Sequence, residues 1–371
     1  MKNKFIPFYF PQLHAIPEND LWWGEGYTDW DRVKVAYSLD ENHYQPRIPL
    51  NGNYYDQSKK ETIQWQIDLA VKHNVYGFNF YHYWFDGKIL LDKPIALFKS
   101  LNHDLKYCVT WANETWTKRW DGKFNEILIK QNHYHDKLEW KKHFDYLYQF
   151  FSDPRYIRID DKPVFCIYRP DIFPDIDDFI EFFQSEAVKR GLRGLHFVAV
   201  KAYETSKDFE KFDSFLRFQP RDLFSSLNGK KSKLSKTIEK TLRSIPEKYQ
   251  ILIGEFIHKY QKKVSFDYEV FCEKLIENSR KDKLSSKQIF QSIIVDWDNA
   301  ARYKDKARYF INTGPEKFER ALKELIRIEE TYDNNFIFIN AWNEWSEGAY
   351  LEPDEKNGFS YLDVLKKLSN Y

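Results

Sequence analysis

A (β/α)8 barrel is predicted by three features of this 371-residue chain. Eight apolar runs, each the length of a strand, are spread along it, and helical stretches separate most of them. Polar and aromatic residues gather where these runs end: at Tyr81 to Trp84, Trp111 to Glu114, Tyr168 to Arg169, Asp296 to Asn299 and Asn343 to Glu347. A barrel places its working groups at the C-terminal rim of its strands, whereas rings scattered through a core would favour neither end. The competing doubly wound sheet wants a Gly-x-Gly-x-x-Gly phosphate loop after an early strand. That motif is absent, and Gly24-Glu-Gly26 is a fragment that follows no strand directly. The chain therefore reads as one barrel domain, residues 1–371, with a long first βα loop and a basic helical insertion after strand 6, at about 221–290.

The first strand, residues 4–10, ends at Pro11. A long loop follows that carries Trp22-Trp-Gly-Glu-Gly-Tyr-Thr-Asp-Trp30 and His43-Tyr-Gln-Pro-Arg47 without helical or strand periodicity. Long structured loops of this kind are usually functional, with a packed loop of no ligand role as the alternative. Residues 61–73 have a helical apolar face of Ile63, Ile67 and Ala70, and residues 75–84 form a ring-rich second strand. Helices at 95–101, 138–151 and 176–190 alternate with strands at 106–114, 162–170 and 195–201. A sixth strand is read at 214–219, a seventh at 291–299 and an eighth at 336–345. Helices at 315–328 and 361–368 complete the pattern.

Bulk composition narrows the function. Lys plus Arg number 57 and Asp plus Glu 56, so no global field argues for nucleic acid. The aromatic share of 18% exceeds what a core of this size needs, and Trp and Tyr suit sugar rings because each joins a flat apolar face to a polar edge. Cys108, Cys166 and Cys272 are widely spaced and read as buried thiols, not as a disulfide framework or a metal site. No cofactor motif is found. The absence of an 18-residue apolar run and of a signal-peptide pattern points to a cytoplasmic protein. Between residues 230 and 263, ten basic residues face three acidic ones. That run reads first as a solvated face. The sharper alternative is peripheral membrane contact, through anionic lipid head groups or a pyrophosphate-linked glycan.

The strongest chemical signal is the end of the eighth strand, where Asn343-Glu-Trp-Ser-Glu347 sets two carboxylates three residues apart beside indole rings. Glycosidic-bond chemistry needs paired carboxyls and flat faces to hold a sugar. The plainer alternative is a pair of solvated glutamates at a turn closed by Gly348. Asp296-Trp-Asp298 has the letters of a metal pair, and a sugar hydrogen-bonding edge is the other reading.

Phe10 to Trp30, Tyr81-His-Tyr-Trp-Phe85, Trp111-Ala-Asn-Glu-Thr-Trp116, Arg119-Trp-Asp-Gly122 and Asn340 to Gly348 together resemble the WbsX-type proteins of polysaccharide biosynthesis loci. Those are similar to glycoside hydrolase family 99. The resemblance runs from about residue 8 to 354 and implies a (β/α)8 barrel acting as a retaining endo-α-mannosidase or mannanase on a surface polysaccharide or lipid-linked glycan. It implies that Glu344 deprotonates the sugar 2-hydroxyl, which attacks C1 to form a 1,2-anhydro sugar, while Glu347 serves as general acid and then base. The expected substrate-binding residues are Tyr9, Trp23, Glu25, Tyr81, His82, Trp84, Trp111, Asn113, Glu114, Trp116, Arg119, Trp120, Asp296, Trp297, Asn343, Trp345 and Tyr350. No metal is expected. A glycosyltransferase of O-antigen or capsule (lipopolysaccharide-type) biosynthesis is the alternative, with a non-catalytic glycan-binding barrel behind it.

Overall fold

The computed structural model describes residues 2–118, 123–133, 135–202, 209–227, 262–330 and 335–371. Eight parallel strands close on themselves: β1 (Lys4–Tyr9), β2 (Gly77–Phe85), β3 (Lys106–Trp111), β4 (Lys162–Ile167), β5 (His196–Lys201), β6 (Ser214–Arg217), β7 (Ile289–Ile294) and β8 (Phe336–Asn340). Closure is made by β1, which pairs with β8 through Lys4↔Phe336 to Pro7↔Ile339 and with β2 through Phe8↔Asn79 and Tyr9↔Phe80. This is the (β/α)8 barrel expected, with all eight strands in the expected places.

The strands are near-continuous apolar runs because a parallel barrel covers both of their faces. Every residue of β7 and β8 is buried. Inside the barrel, the Phe8 ring stacks on Tyr81 at 5.4 Å and meets Phe218 edge-on at 5.1 Å, so aromatic rings fill the space below the rim. Gly77 is required where β2 meets β3, since a Cβ there would lie 2.4 Å from the Lys106 carbonyl oxygen.

Around the barrel lie α1 (Lys60–Lys72), α2 (Lys93–Ser100), α3 (Lys137–Phe151), α4 (Ile176–Lys189), α5 (Arg221–Leu227), α6 (Tyr268–Asp282), α7 (Pro315–Glu329) and α8 (Ser360–Leu368). Helix α7 buries Phe318, Ala321, Leu322 and Leu325, the face read from its periodicity. Among the described residues, no helix is long and apolar enough to cross a membrane.

Two expectations need correction. Strands β3, β4, β7 and β8 end earlier than predicted, at Trp111, Ile167, Ile294 and Asn340, because the chain leaves the sheet to form the rim loops. The first loop is not devoid of regular structure, since short helices occupy Pro17–Trp23 and Trp30–Lys34. The helical character read for 221–290 is present in α5 and α6, and α6 buries Tyr268, Phe271 and Leu275 at helical spacing and returns the chain from β6 to β7. Residues 228–261, which hold most of the basic segment, lie outside the described residues.

Candidate active site

Beyond β8, Asn343–Glu344 pairs antiparallel with Ala349–Tyr350, and a 3-10 turn, Trp345–Glu347, joins the two. One 3-10 turn spans three residues, so side chains at i and i+3 share a face. Glu344 and Glu347 therefore enter the same pocket at the barrel mouth, a space of about 210 Å³. Gly348 closes the turn at φ 62°, and a Cβ on it would lie 2.9 Å from the Asp298 Cβ and 3.0 Å from its amide nitrogen. Gly348→Ala is expected to cost about 1–3 kcal/mol from the left-handed backbone and this collision. Urea unfolding at neutral pH would measure it, and an unchanged midpoint would refute it.

The glutamates are not solvated turn residues. Their side chains are only 11% and 14% exposed. Arg302, from the short helix Ala300–Tyr303 after β7, pairs through Nη1 with Glu347 and lies 3.4 Å from Glu344 Oε1. Its Nη2 is 3.5 Å from Asp29 Oδ2. Trp297 donates its indole N–H to Glu347 Oε2 at 3.1 Å. Burial and the neighbouring Glu347 push Glu344 up to about 8, against the pull of Arg302 and Arg221. Burial also works against charge on Glu347, but Arg302, Arg221 and the Trp297 hydrogen bond outweigh it and hold this carboxyl below its ordinary value. The two carboxyls are thus pushed in opposite directions, Glu344 toward its neutral form and Glu347 toward its charged form.

Of the predicted binding residues, Trp23, Tyr81, Glu114, Trp116 and Trp297 line the pocket with the two glutamates. Glu114 is held there by Arg169 at 2.8 Å, and the Trp116 ring stands edge-on to Tyr83 at 5.0 Å. Others are placed behind the pocket for identifiable reasons. Tyr9 is buried in the core, with its hydroxyl donating to Gln66. His82 and His143 meet nitrogen to nitrogen at 2.8 Å, and burial pushes His82 down to about 3, so it is a neutral packing residue. Trp84 stacks on His143 at 4.8 Å, and Trp111 meets that ring edge-on at 4.7 Å. Asn113 clamps the Arg169 backbone, accepting its N–H at 2.7 Å and donating to its carbonyl at 2.9 Å.

Asn343 is committed in the same way to Phe10, accepting its N–H at 2.8 Å and donating to its carbonyl at 3.0 Å. Trp345 points away from the glutamates. It stacks on Tyr350 at 3.7 Å and donates to the buried Glu352 at 2.8 Å. Tyr350 bonds Asp354 at 2.7 Å. Glu25 is exposed and is not among the pocket's lining residues. Arg119 and Trp120 lie outside the described residues.

Asp296 and Asp298 do not offer a metal pair. Asp296 is 2.9 Å from Arg47, and Asp298 Oδ2 receives His43 at 2.9 Å and Gln45 at 2.7 Å. These contacts pin the first loop to the end of β7. Asp298 also donates its backbone N–H to the Glu347 carbonyl at 2.6 Å, which ties this anchor to the acid pair.

Sequence reasoning missed Arg302 and Asp29 as site residues. Arg302 follows the Asp296–Asn299 cluster by three residues, and a polar-aromatic cluster that continues past its strand was the available signal. Asp29 sat within a quoted motif, but nothing in the sequence said what it faced. Arg221, Tyr83, Tyr168 and Phe218 also line the pocket from neighbouring rim positions.

Fold and site define a (β/α)8 barrel with a buried acid pair at its rim. A family model described as "Glycosyltransferase WbsX" matches residues 5–365, and the chain belongs to that family. Two uncharacterized WxcX proteins of Xanthomonas campestris pv. campestris are similar to it: one from strain B100, 29% identical over 368 residues, and one from strain ATCC 33913, 30% identical over 368 residues. Each alignment covers 98% of this chain and 49% of the relative, so the chain spans about half the length of the curated relatives it matches. Among solved structures, the GH99 endo-alpha-mannosidase of Bacteroides thetaiotaomicron superposes with a TM-score of 0.56 at 15% identity, covering 99% of this chain and 96% of that one. A "Glycoside hydrolase-like protein" superposes with a TM-score of 0.55 at 11% identity, covering 98% and 93%. The family description supports a carbohydrate-active enzyme, and the superpositions establish the fold.

Proposed function

We propose that this chain is a carbohydrate-active enzyme that breaks or remakes a glycosidic bond with retention, using Glu344 and Glu347 on a surface polysaccharide or lipid-linked glycan. The observation that carries the reading is the pair itself: two buried carboxyls in one aromatic pocket, sharing Arg302 and pushed in opposite directions by their surroundings. One can donate a proton while the other accepts one, which is what acid–base cleavage of an acetal requires. The rings of Trp23, Trp116, Tyr81 and Trp297 offer faces for sugars.

In the free protein burial and Glu347 favour the neutral form of Glu344, whereas a Glu347 general acid needs the proton on the other carboxyl. Taking up the implied roles requires one proton exchange within the pair when sugar binds. Arg302, in reach of both carboxyls, is the group whose movement would drive it. Activity is expected to fall as pH rises through about 8, where Glu344 loses its proton. It is expected to fall again when acid neutralises Glu347. The reading includes a cytoplasmic site of action, with the basic segment 230–263 as a contact for anionic head groups.

The description of the family favours a second reading, a glycosyltransferase that builds such a polysaccharide from an activated donor. Calorimetric titration of the Glu347→Gln protein with α-manno-oligosaccharides and with a nucleotide-sugar panel separates the two. Oligosaccharide binding that is lost when Trp116 or Trp297 is also changed supports the first reading. Saturable binding of a nucleotide sugar alone overturns it.

A further inference from the structure

A third carboxylate, supplied by the first loop, shares Arg302 with the acid pair. Asp29 is 1% exposed, and its Oδ2 lies 3.5 Å from Arg302 Nη2 while accepting the hydroxyl of Ser346, the residue before Glu347. Its Oδ1 is buried with no hydrogen-bond partner among the described residues. The position is fixed by the adjoining Trp30, whose indole donates to the Tyr55 carbonyl at 2.8 Å and whose ring packs on Trp345 at 5.4 Å. The Asp29 amide donates to the Gln12 carbonyl at 3.2 Å. The loop motif thus grips both the arginine and the turn that carry the chemistry.

Among the described residues, the charged and titratable groups facing Glu344 or lining its pocket are Glu347 on its own loop, Arg302 and Tyr303 after β7, Arg221 on α5, Asp29 on the first loop, Tyr81 and Tyr83 on β2, Glu114 after β3 and Tyr168 after β4. Burial and Glu347 act most strongly against charge on Glu344, Arg302 and Arg221 oppose them, and Asp29 adds to the push toward the neutral form while drawing on the same Arg302.

Resting on the acid–base reading above, we infer that Asp29 is a positioning residue: it takes a share of Arg302 and holds the turn that carries Glu347, and so sets how the guanidinium is divided between the two glutamates. The test does not depend on an identified substrate. The full chain, labelled with 13C at glutamate side-chain carboxyls, is titrated by NMR, with the two signals assigned by their loss in Glu344→Gln and Glu347→Gln. In the parent, one carboxyl of the pair should remain protonated at pH 7. In Asp29→Asn its midpoint should fall by about one unit or more, the usual effect of removing a nearby like charge. Ser346→Ala, which removes the hydroxyl but no charge, should leave the midpoint in place.

An unchanged midpoint in folded Asp29→Asn overturns the inference, as does an equal shift in Ser346→Ala. Two ionised glutamates in the parent at pH 7 overturn it without any variant. Absence of glycan binding would count against the proposed function and leave this titration unaffected.

Discussion

Glu347→Gln is expected to reduce turnover by about 10²–10⁴-fold on whichever glycan the binding panel identifies, the usual contribution of a positioned acid or base. Glutamine keeps the size of the side chain and an acceptor for the Trp297 indole, so glycan affinity should survive. Glu344→Gln should lose turnover to a similar extent but differ in stability. Glu344 holds its proton to about pH 8 in the folded chain, against an ordinary value of 4.5. The stability gained from that raised value is fully present below about 4.5 and is lost as pH rises through about 8. A neutral glutamine has no such dependence. Above pH 8, Glu344→Gln should therefore unfold at higher urea than the parent while remaining inactive, the trade expected where function keeps a charge in an unfavourable place. Steady-state rates and urea midpoints at pH 7 and 9 measure both effects. Full activity in either variant would remove the pair from the chemistry.

The barrel was legible because its strands are buried on both faces. Runs such as Ile289–Ile294 and Phe336–Asn340 leave few alternatives to a strand between helices. The two glutamates were legible because a separation of three residues on a tight turn is local geometry. The roles of their flanking residues were not. Trp345 and Asn343 look like sugar ligands in sequence, yet the same turn that aims the glutamates into the pocket aims Trp345 at Tyr350 and Glu352, while Asn343 reaches Phe10. A polar or aromatic residue at a strand end can face the pocket or brace the loop, and only the tertiary partners decide. His82 and Asp298 illustrate the second case, each consumed by a buried partner from a distant segment. The charge arrangement was least legible of all. Asp29 lies 273 residues from Arg302, and Arg302 lies 45 from Glu347; the three meet where His43, Gln45 and Arg47 fasten the first loop to the end of β7.

Arg302→Met is expected to be the most destabilising single change at the site. The arginine is 4% exposed, and burial works against its charge, but Asp29, Glu347 and Glu344 together keep the guanidinium protonated. Methionine fills much of the same volume and leaves those carboxyls, among the described lining residues, with Arg221 as the remaining guanidinium. Removing one partner of a buried ion pair typically costs about 3–5 kcal/mol, because the other charge stays buried without compensation. The sign of the pH dependence distinguishes this cause from simple loss of packing. In the parent, Glu347 is held below its ordinary value, so its contribution to stability is present above that value and is lost on acidification. In the variant, Glu347 loses that support and burial raises it. The stability gap between the two proteins should then be widest at neutral pH and narrow as acid protonates the carboxyls. A gap that stays constant with pH would assign the loss to packing. Arg302→Lys should recover part of the stability by restoring a charge. A single ammonium cannot span Glu347 and Asp29 as the planar fork does, so the protonation of the pair should remain altered even where the fold is rescued.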